Sequence, residues 1–174
     1  LEFRRVLFRS NPQLKLVLLG AQEGWLTADE LAAANIPVII DPYDNLPGSF
    51  STLGATQENA KRLIDAGVET AFAYFDDSSH QPRLVLQSAG NAVGSGVDHT
   101  QALRAITSVP ARIFGVDDAG RLSPGGAGDF VIWDGDPLEV MSAPVRVFIN
   151  GKARLQQLRR YRRAGRQGHV PGFH

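Results

Sequence analysis

Apolar positions along this chain follow two rhythms. From Leu14 to about Gly115, short continuous apolar runs alternate with stretches of helical period. Beyond Gly120 the spacing shortens to that of strands and turns. Leu14-Lys-Leu-Val-Leu-Leu19 ends at Gly20 and predicts a buried strand. Thr27 with Glu30 three residues on reads as a capping box. It opens a helix through Ala34 that Ile36-Pro37 ends, because proline disfavours helical geometry in the residue before it. Val38–Ile40 predicts a second strand, and residues 41–52, with two Pro and a Gly, a long loop of the kind that is usually either functional or disordered.

The alternation continues. Residues 58–66 carry an apolar stripe at Ala60, Leu63 and Ile64 with Gly67 as the stop. Residues 70–74 predict a third strand, 76–82 a polar loop, and 84–93 a third helix closed by Gly94 and Gly96. Asp98 with Gln101 caps a helix through Ala105, and Pro110 suits the start of one more helical turn ending at Gly115. Three βα units with long crossovers make parallel neighbours. They fit either a small doubly wound sheet or part of a larger barrel. A complete (β/α)8 barrel needs about 250 residues and eight strands. Three strands cannot close one, and the open side would expose sheet edge and apolar helix faces, an aggregation liability.

After Gly115 come turns at 118–120 and Pro124-Gly125, and strands at Phe130–Trp133 and Val145–Ile149. Asn150-Gly151 is a strong two-residue hairpin signal and predicts a return strand over 152–155. Leu155, Leu158 and Tyr161 recur at helical spacing and offer a helical continuation instead.

Composition narrows the classes. The 174 residues are 43% hydrophobic, enough for one core, so one domain or one domain with an appendage is expected. There is no cysteine, hence no disulfide and no thiolate metal site. No apolar run approaches the roughly 20 residues of a membrane span. A net charge of zero conceals an acidic body and a basic end. Residues 11–145 carry 7 Lys or Arg against 17 Asp or Glu, whereas residues 146–174 carry 8 basic side chains and no acid. Residues 1–10 have neither a hydrophobic signal core nor a clear period and read as a non-native leader joined to a truncated frame. The compartment, cytoplasm or periplasm, stays open.

Several short matches in order carry a resemblance. They are Leu16-Val-Leu-Leu19 with Glu23-Gly-Trp25, Ile36-Pro-Val-Ile-Ile-Asp41, Asn45-Leu-Pro47 with Ser49-Phe50, Asn59-Ala60, and Ala66-Gly-Val68. Ala89-Gly-Asn-Ala-Val93, Ala102-Leu-Arg-Ala-Ile-Thr107, Thr107–Gly115, Gly128–Glu139 and Val145–Gly151 follow. Together they resemble the last third of the amidohydrolase superfamily, in particular its imidazolonepropionase-related branch. The family usually has Asn where Val109 stands, a Lys near Gly126 and an Ala near Gly128. The resemblance implies an α/β chain in which residues 11–115 are the last three βα units of a TIM-like (β/α)8 barrel. Residues 116–156 would be part of a small composite β-sandwich domain, followed by a basic tail over 157–174.

Hydrolysing an unactivated C–N bond needs a strong nucleophile at neutral pH, which a metal supplies by lowering the pKa of bound water from 15.7 to about 7. Three or more imidazole or carboxylate ligands must then converge. The resemblance implies that Asp76, directly after the third strand, is both metal ligand and proton acceptor, with Asp77 one register step away. On the residues alone, the favoured reading of the pair is a cap for the loop or for the helix at Leu84. His80, His99, His169 and His174 include no pair at i,i+2 or i,i+4, so this chain lacks the other ligands. His80, Tyr43 and Asn45 are candidate substrate contacts, with Asp44 and Phe50 beside them, while His99 reads as a surface residue. Zinc or another divalent metal and a small-molecule substrate are implied for the complete protein. For this chain alone no bound metal, no activity, no membrane partner and a missing N-terminal barrel half are expected. A second reading makes it a non-catalytic binding module whose basic stretch 152–166 engages nucleic acid or an acidic partner. Against that stands a plainly solvated tail, the favoured reading of the stretch.

Overall fold

The computed structural model describes residues 14–75, 84–116 and 118–154. Its elements in chain order are β1 (Leu18–Leu19), α1 (Ala28–Ala33), β2 (Val38–Ile40), α2 (Asn59–Asp65), β3 (Thr70–Phe72), α3 (Leu84–Gly94), α4 (His99–Ala105), α5 (Ser108–Ile113), β4 (Phe130–Trp133), β5 (Pro144–Ile149) and β6 (Lys152–Ala153). Short 3-10 turns precede α1, at Gly24–Thr27, and α2, at Phe50–Thr52.

The first three strands form a parallel sheet in the order β1-β2-β3, with Leu18 opposite Val38 and Ile40 opposite Phe72. β2 is buried on both faces, which is why it reads as an unbroken apolar run rather than an alternation. Val38, Ile40 and Phe72 meet Leu31 of α1, Ala60 and Leu63 of α2, Ala89 and Ala92 of α3, and Ala102 and Ala105 of α4. Ile39 and Ala71 face the other way, against Val109 of α5. Alanines on α3 and α4 let these helices come close to the sheet and to each other.

Four of the five helices, all but α4, end in the same way. Residue 67 is left-handed (φ 84°), and the N–H of Val68 donates to the carbonyl of Leu63, while that of Gly67 donates to Ile64. Two otherwise orphaned carbonyls are thereby satisfied, and Val68 turns into the core. The same closure recurs at Asn35, Gly96 and Gly115.

β3 ends at Phe72 rather than at residue 74, and β6 at Ala153; two further expectations needed correction. The first strand is only two residues long, because β2 begins at Val38 and the ladder toward it runs only from Leu18 to Gly20. The Thr27 capping box does not form. The chain enters α1 already coiled by the 3-10 turn, Thr27 Oγ1 donates back to the Gly24 carbonyl, and Asn35, not Ile36-Pro37, makes the stop. The helical continuation from Leu155 lies outside the described residues.

The second sheet is antiparallel, order β4-β5-β6, with Phe130 stacked on Phe148 at 4.4 Å between ring centres. Asn150 and Gly151 both have positive φ (52° and 70°), the mirror-image turn that matches strand twist. Between β4 and β5 the chain makes an excursion pinched at its base: Asp134 N–H donates to Ala143 O, and Ala143 N–H to Asp134 Oδ1. Its tip, Asp136-Pro-Leu138, reaches the first lobe, and Leu138 is buried in the core of the parallel sheet. Asp136 accepts the Leu138 N–H at 2.9 Å and pairs with His99 Nε2 at 2.7 Å. The Leu138 N–H, then the His99 contact, hold the Asp136 carboxyl below its usual 3.8.

A lowered folded-state value means a contribution to stability that is present above the ordinary carboxylate range and is lost as the carboxylate protonates. The melting temperature of Asp136→Asn should therefore lie below that of the unmodified chain at pH 6. The gap should narrow toward zero as the pH is taken well below the carboxylate range. A gap constant across a pH series of thermal melts would contradict this.

Candidate functional site at the strand ends

Three segments meet where β2 and β3 end. Asp41 follows Ile40 directly and is 4% exposed. Its Oδ1 accepts the Tyr43 N–H (2.9 Å), a turn that aspartate favours, and the Ser88 hydroxyl of α3 (2.8 Å). Its Oδ2 accepts the Phe75 N–H at 3.2 Å. One carboxylate thus ties the exits of both strands to a helix. Beside it opens a cleft of about 120 Å³ lined by Tyr43, Tyr74, Leu84, Gln87 and Ser88.

The neighbouring loops are bound to one another by polar contacts. Glu23 Oε1 accepts the Gly54 N–H (2.6 Å) and Trp25 Nε1 donates to the Gly54 carbonyl (2.8 Å). Fully buried Asn59 accepts from Trp25 N–H (3.0 Å) and donates to Ala21 O (2.9 Å). Gln22 donates to the Asp44 carboxylate at 2.7 Å. The Arg62 guanidinium lies 4.3 Å from the Trp25 ring. The loop after β1 is thereby fastened to the long loop after β2, which gives the strand ends a stable rim.

Of the residues singled out from sequence, Tyr43 is exposed and lines the cleft. Asn45 is fully buried, and both polar atoms of its amide lack a hydrogen-bond partner among the described residues. Phe50 is almost wholly exposed, and Asp44 is engaged with Gln22. Asp76, Asp77 and His80 lie outside the described residues, as do His169 and His174. His99, read as a surface residue, is half-buried and paired with Asp136, away from the strand ends.

Sequence reasoning missed Asp41 and Ser88. The available signal was an acid placed directly after a buried apolar strand, in the position that also drew notice to Asp76. The hydroxyl partner, 47 residues on, left no local trace.

Among the described residues no group of three or more His, Asp or Glu could hold a metal ion. Asp41 is occupied by three donors and so presents no free carboxylate, while Glu23 has one oxygen engaged by the Gly54 N–H. The described residues do not by themselves fit the divalent metal that the resemblance implies.

Asp41→Asn turns one acceptor oxygen into a donor facing a donor, and should destabilise the chain by about 1–3 kcal/mol, with Ser88→Ala costing less. Urea denaturation gives both values, and an unchanged midpoint for Asp41→Asn would remove the carboxylate from this role. Asn45→Leu should go the other way. It removes an unsatisfied buried amide and should add about 1 kcal/mol; a loss of that size would mean that a buried partner satisfies the amide.

Comparison with known proteins then places the chain. Residues 15–154 match the model of the Amidohydrolase family. The amidohydrolase tasK of Hapsidospora irregularis is 30% identical over 113 residues, covering 64% of this chain and 11% of that protein. The imidazolonepropionase of Paracoccus denitrificans is 32% identical over 130 residues, 67% of this chain and 31% of that protein. Among solved structures, an amidohydrolase from Thermotoga maritima superposes with a TM-score of 0.77 at 25% identity, over 90% of this chain and 41% of that one. The chain therefore spans under a third of the two curated relatives and under half of the solved one. The family model covers most of the chain, and the fold agrees with it: the chain belongs to the amidohydrolase family.

Proposed function

We propose that this chain is the C-terminal part of a metal-dependent hydrolase that cleaves a C–N bond of a cyclic amide or amidine, and that it is inactive alone. The observation that carries the reading is the family match over residues 15–154, on a chain whose parallel strands end at one shared cleft. Under this reading β1, β2 and β3 belong to the last three βα units of a (β/α)8 barrel, and the antiparallel sheet to a small β-sandwich. Asp76 is the metal ligand and proton acceptor, with Asp77 the alternative. Tyr43 and His80 contact a small-molecule substrate, and Tyr43 already stands at the mouth of the cleft; Asn45, singled out with them from sequence, is fully buried and does not reach it. The remaining ligands for zinc or another divalent ion come from the N-terminal half of the barrel. Leu19, 64% exposed on the edge strand β1, fits a sheet that continues into further strands.

The complete protein, assayed with divalent metal on a panel of cyclic amides and amidines, should hydrolyse at least one of them. The present chain should neither hydrolyse any nor retain a stoichiometric ion by elemental analysis. In the complete protein Asp76→Asn should lower kcat by about 10²–10⁴, the usual range for loss of a general base, and Asp77→Asn by less than about tenfold. One or two tightly held ions on the chain alone would overturn its incompleteness. Full activity in both variants would overturn the assignment of the acid.

A further inference from the structure

The excursion between β4 and β5 does more than connect two strands. Its base is pinched by the two Asp134–Ala143 hydrogen bonds, and its tip carries Leu138 across to the other lobe. Leu138 is 8% exposed and packs in the cluster that contains Ala89 and Ala92 of α3. The Leu138 carbonyl lies so close to Gly90 that a methyl group there would sit 2.7 Å from it. Asp136 closes the turn by accepting the Leu138 N–H and holds the first residue of α4 through His99. Pro137 stiffens the step between them. The turn therefore touches α3 and α4 at once, and α3 is the helix whose Ser88 hydroxyl holds Asp41.

We propose that the Asp136-Pro-Leu138 turn is a clamp by which the antiparallel sheet fixes α3, and through Ser88 the Asp41 carboxylate and the Phe75 backbone at the end of β3. The clamp is a coupling device between the two sheets: seated, it keeps the strand-end cleft in one arrangement, and released, it loosens α3 while the parallel sheet stays folded. Asp136, His99 and Leu138 are positioning residues in this arrangement, and they do so whatever reaction the complete protein carries out. The geometry gives the clamp a narrow seat. Gly90 is a poor helix former in the middle of α3, and that weakness is the condition for the Leu138 backbone to approach.

Gly90 also supplies a test whose sign separates the clamp from ordinary helix stability. In an unclamped helix, Gly90→Ala would favour the helical state and slow amide exchange across α3. With the clamp seated, the added methyl meets the Leu138 carbonyl and drives the turn off. Residue-resolved hydrogen exchange on the whole chain should then show the amides of residues 88–94 exchanging about tenfold faster, together with the Phe75 amide that Asp41 accepts, while Val38–Ile40 accelerate by a clearly smaller factor. Asp136→Asn, which keeps the shape of the turn but removes the charge paired with His99, should move the same amides in the same direction by a smaller factor. Slower or unchanged exchange in α3 on Gly90→Ala would sink the clamp. So would an unmoved Phe75 amide, or an acceleration spread equally over Val38–Ile40, which would reduce the turn to one more contributor to global stability.

Discussion

The fold depends on how four of its five helices let the chain go. A helix ends with carbonyls that have lost their partners, and in a βα lobe it must also return the chain to the sheet within two or three residues. The left-handed residue solves both demands. At Asn35, Gly67, Gly96 and Gly115 the backbone reverses hand, and the next residue donates to a carbonyl five positions back, at Leu31, Leu63, Ala92 and Ala111. That next residue is Ile36, Val68, Val97 or Val116. Val68 and Val97 are buried in the core they help to close, whereas Val116 is nearly half exposed. The first two exits return the chain to β2 and β3, the third leads into α4, and the last leaves for the antiparallel sheet. One device, used four times, sets the spacing of the lobe.

These exits explain what was legible in the sequence. Glycine at 67, 96 and 115 is a local signal, since few residues tolerate that backbone, and the helix ends were accordingly readable. So were Val38–Ile40 as a strand and Asn150-Gly151 as a hairpin, because a buried apolar run and a turn that needs two positive φ values each have few alternatives. Asp98 caps α4 through the Gln101 N–H, as its spacing suggested. What escaped depends on partners far along the chain. Whether residues 14–17 form a strand is decided by where β2 begins. Whether Thr27 caps a helix is decided by the coil already present before it. The pairing of His99 with Asp136, 37 residues away, and of Asp41 with Ser88 has no local pattern at all. An Asn59 that ties Trp25 to Ala21 is likewise indistinguishable in sequence from a solvent-facing helix residue.

The strand-end region shows the same division between scaffold and chemistry. A carboxylate that accepts two N–H groups and a hydroxyl, and is nearly excluded from water, is committed to holding structure. Asp41 sits where an acid could be catalytic, yet its three partners make it a tether. It fixes where β3 ends and therefore where the chain continues toward residue 76. Under the proposed function the reacting acid is the one that follows that fixed exit. The two roles need separate residues, because a group that must change protonation cannot also be the tie that keeps its neighbours in place. Asn45 is the exception within this rim, a buried amide with neither exposure nor a partner among the described residues.

The two sheets differ in how much of their apolar surface they cover from this chain. The parallel sheet has helices on the face of Val38 and Ile40, and α5 against Ile39 and Ala71, so its deficit lies on the edge strand, where Leu19 of β1, opposite Ile39, is left uncovered. The antiparallel sheet has a deficit of another kind. An antiparallel pair with one solvated face should alternate apolar and polar residues. Here Phe130 and Ile132 point to one face and Val131 and Trp133 to the other, while Val145 and Ile149 on β5 are also partly exposed. A sheet that is apolar on both sides requires cover on both sides, which is what the proposed sandwich demands of the rest of the protein. The Asp136–Leu138 turn is then the one place, among the described residues, where this sheet is already anchored in a core. Under the proposed function, that anchor holds one side of the sheet and further chain would cover the open faces of β4 and β5.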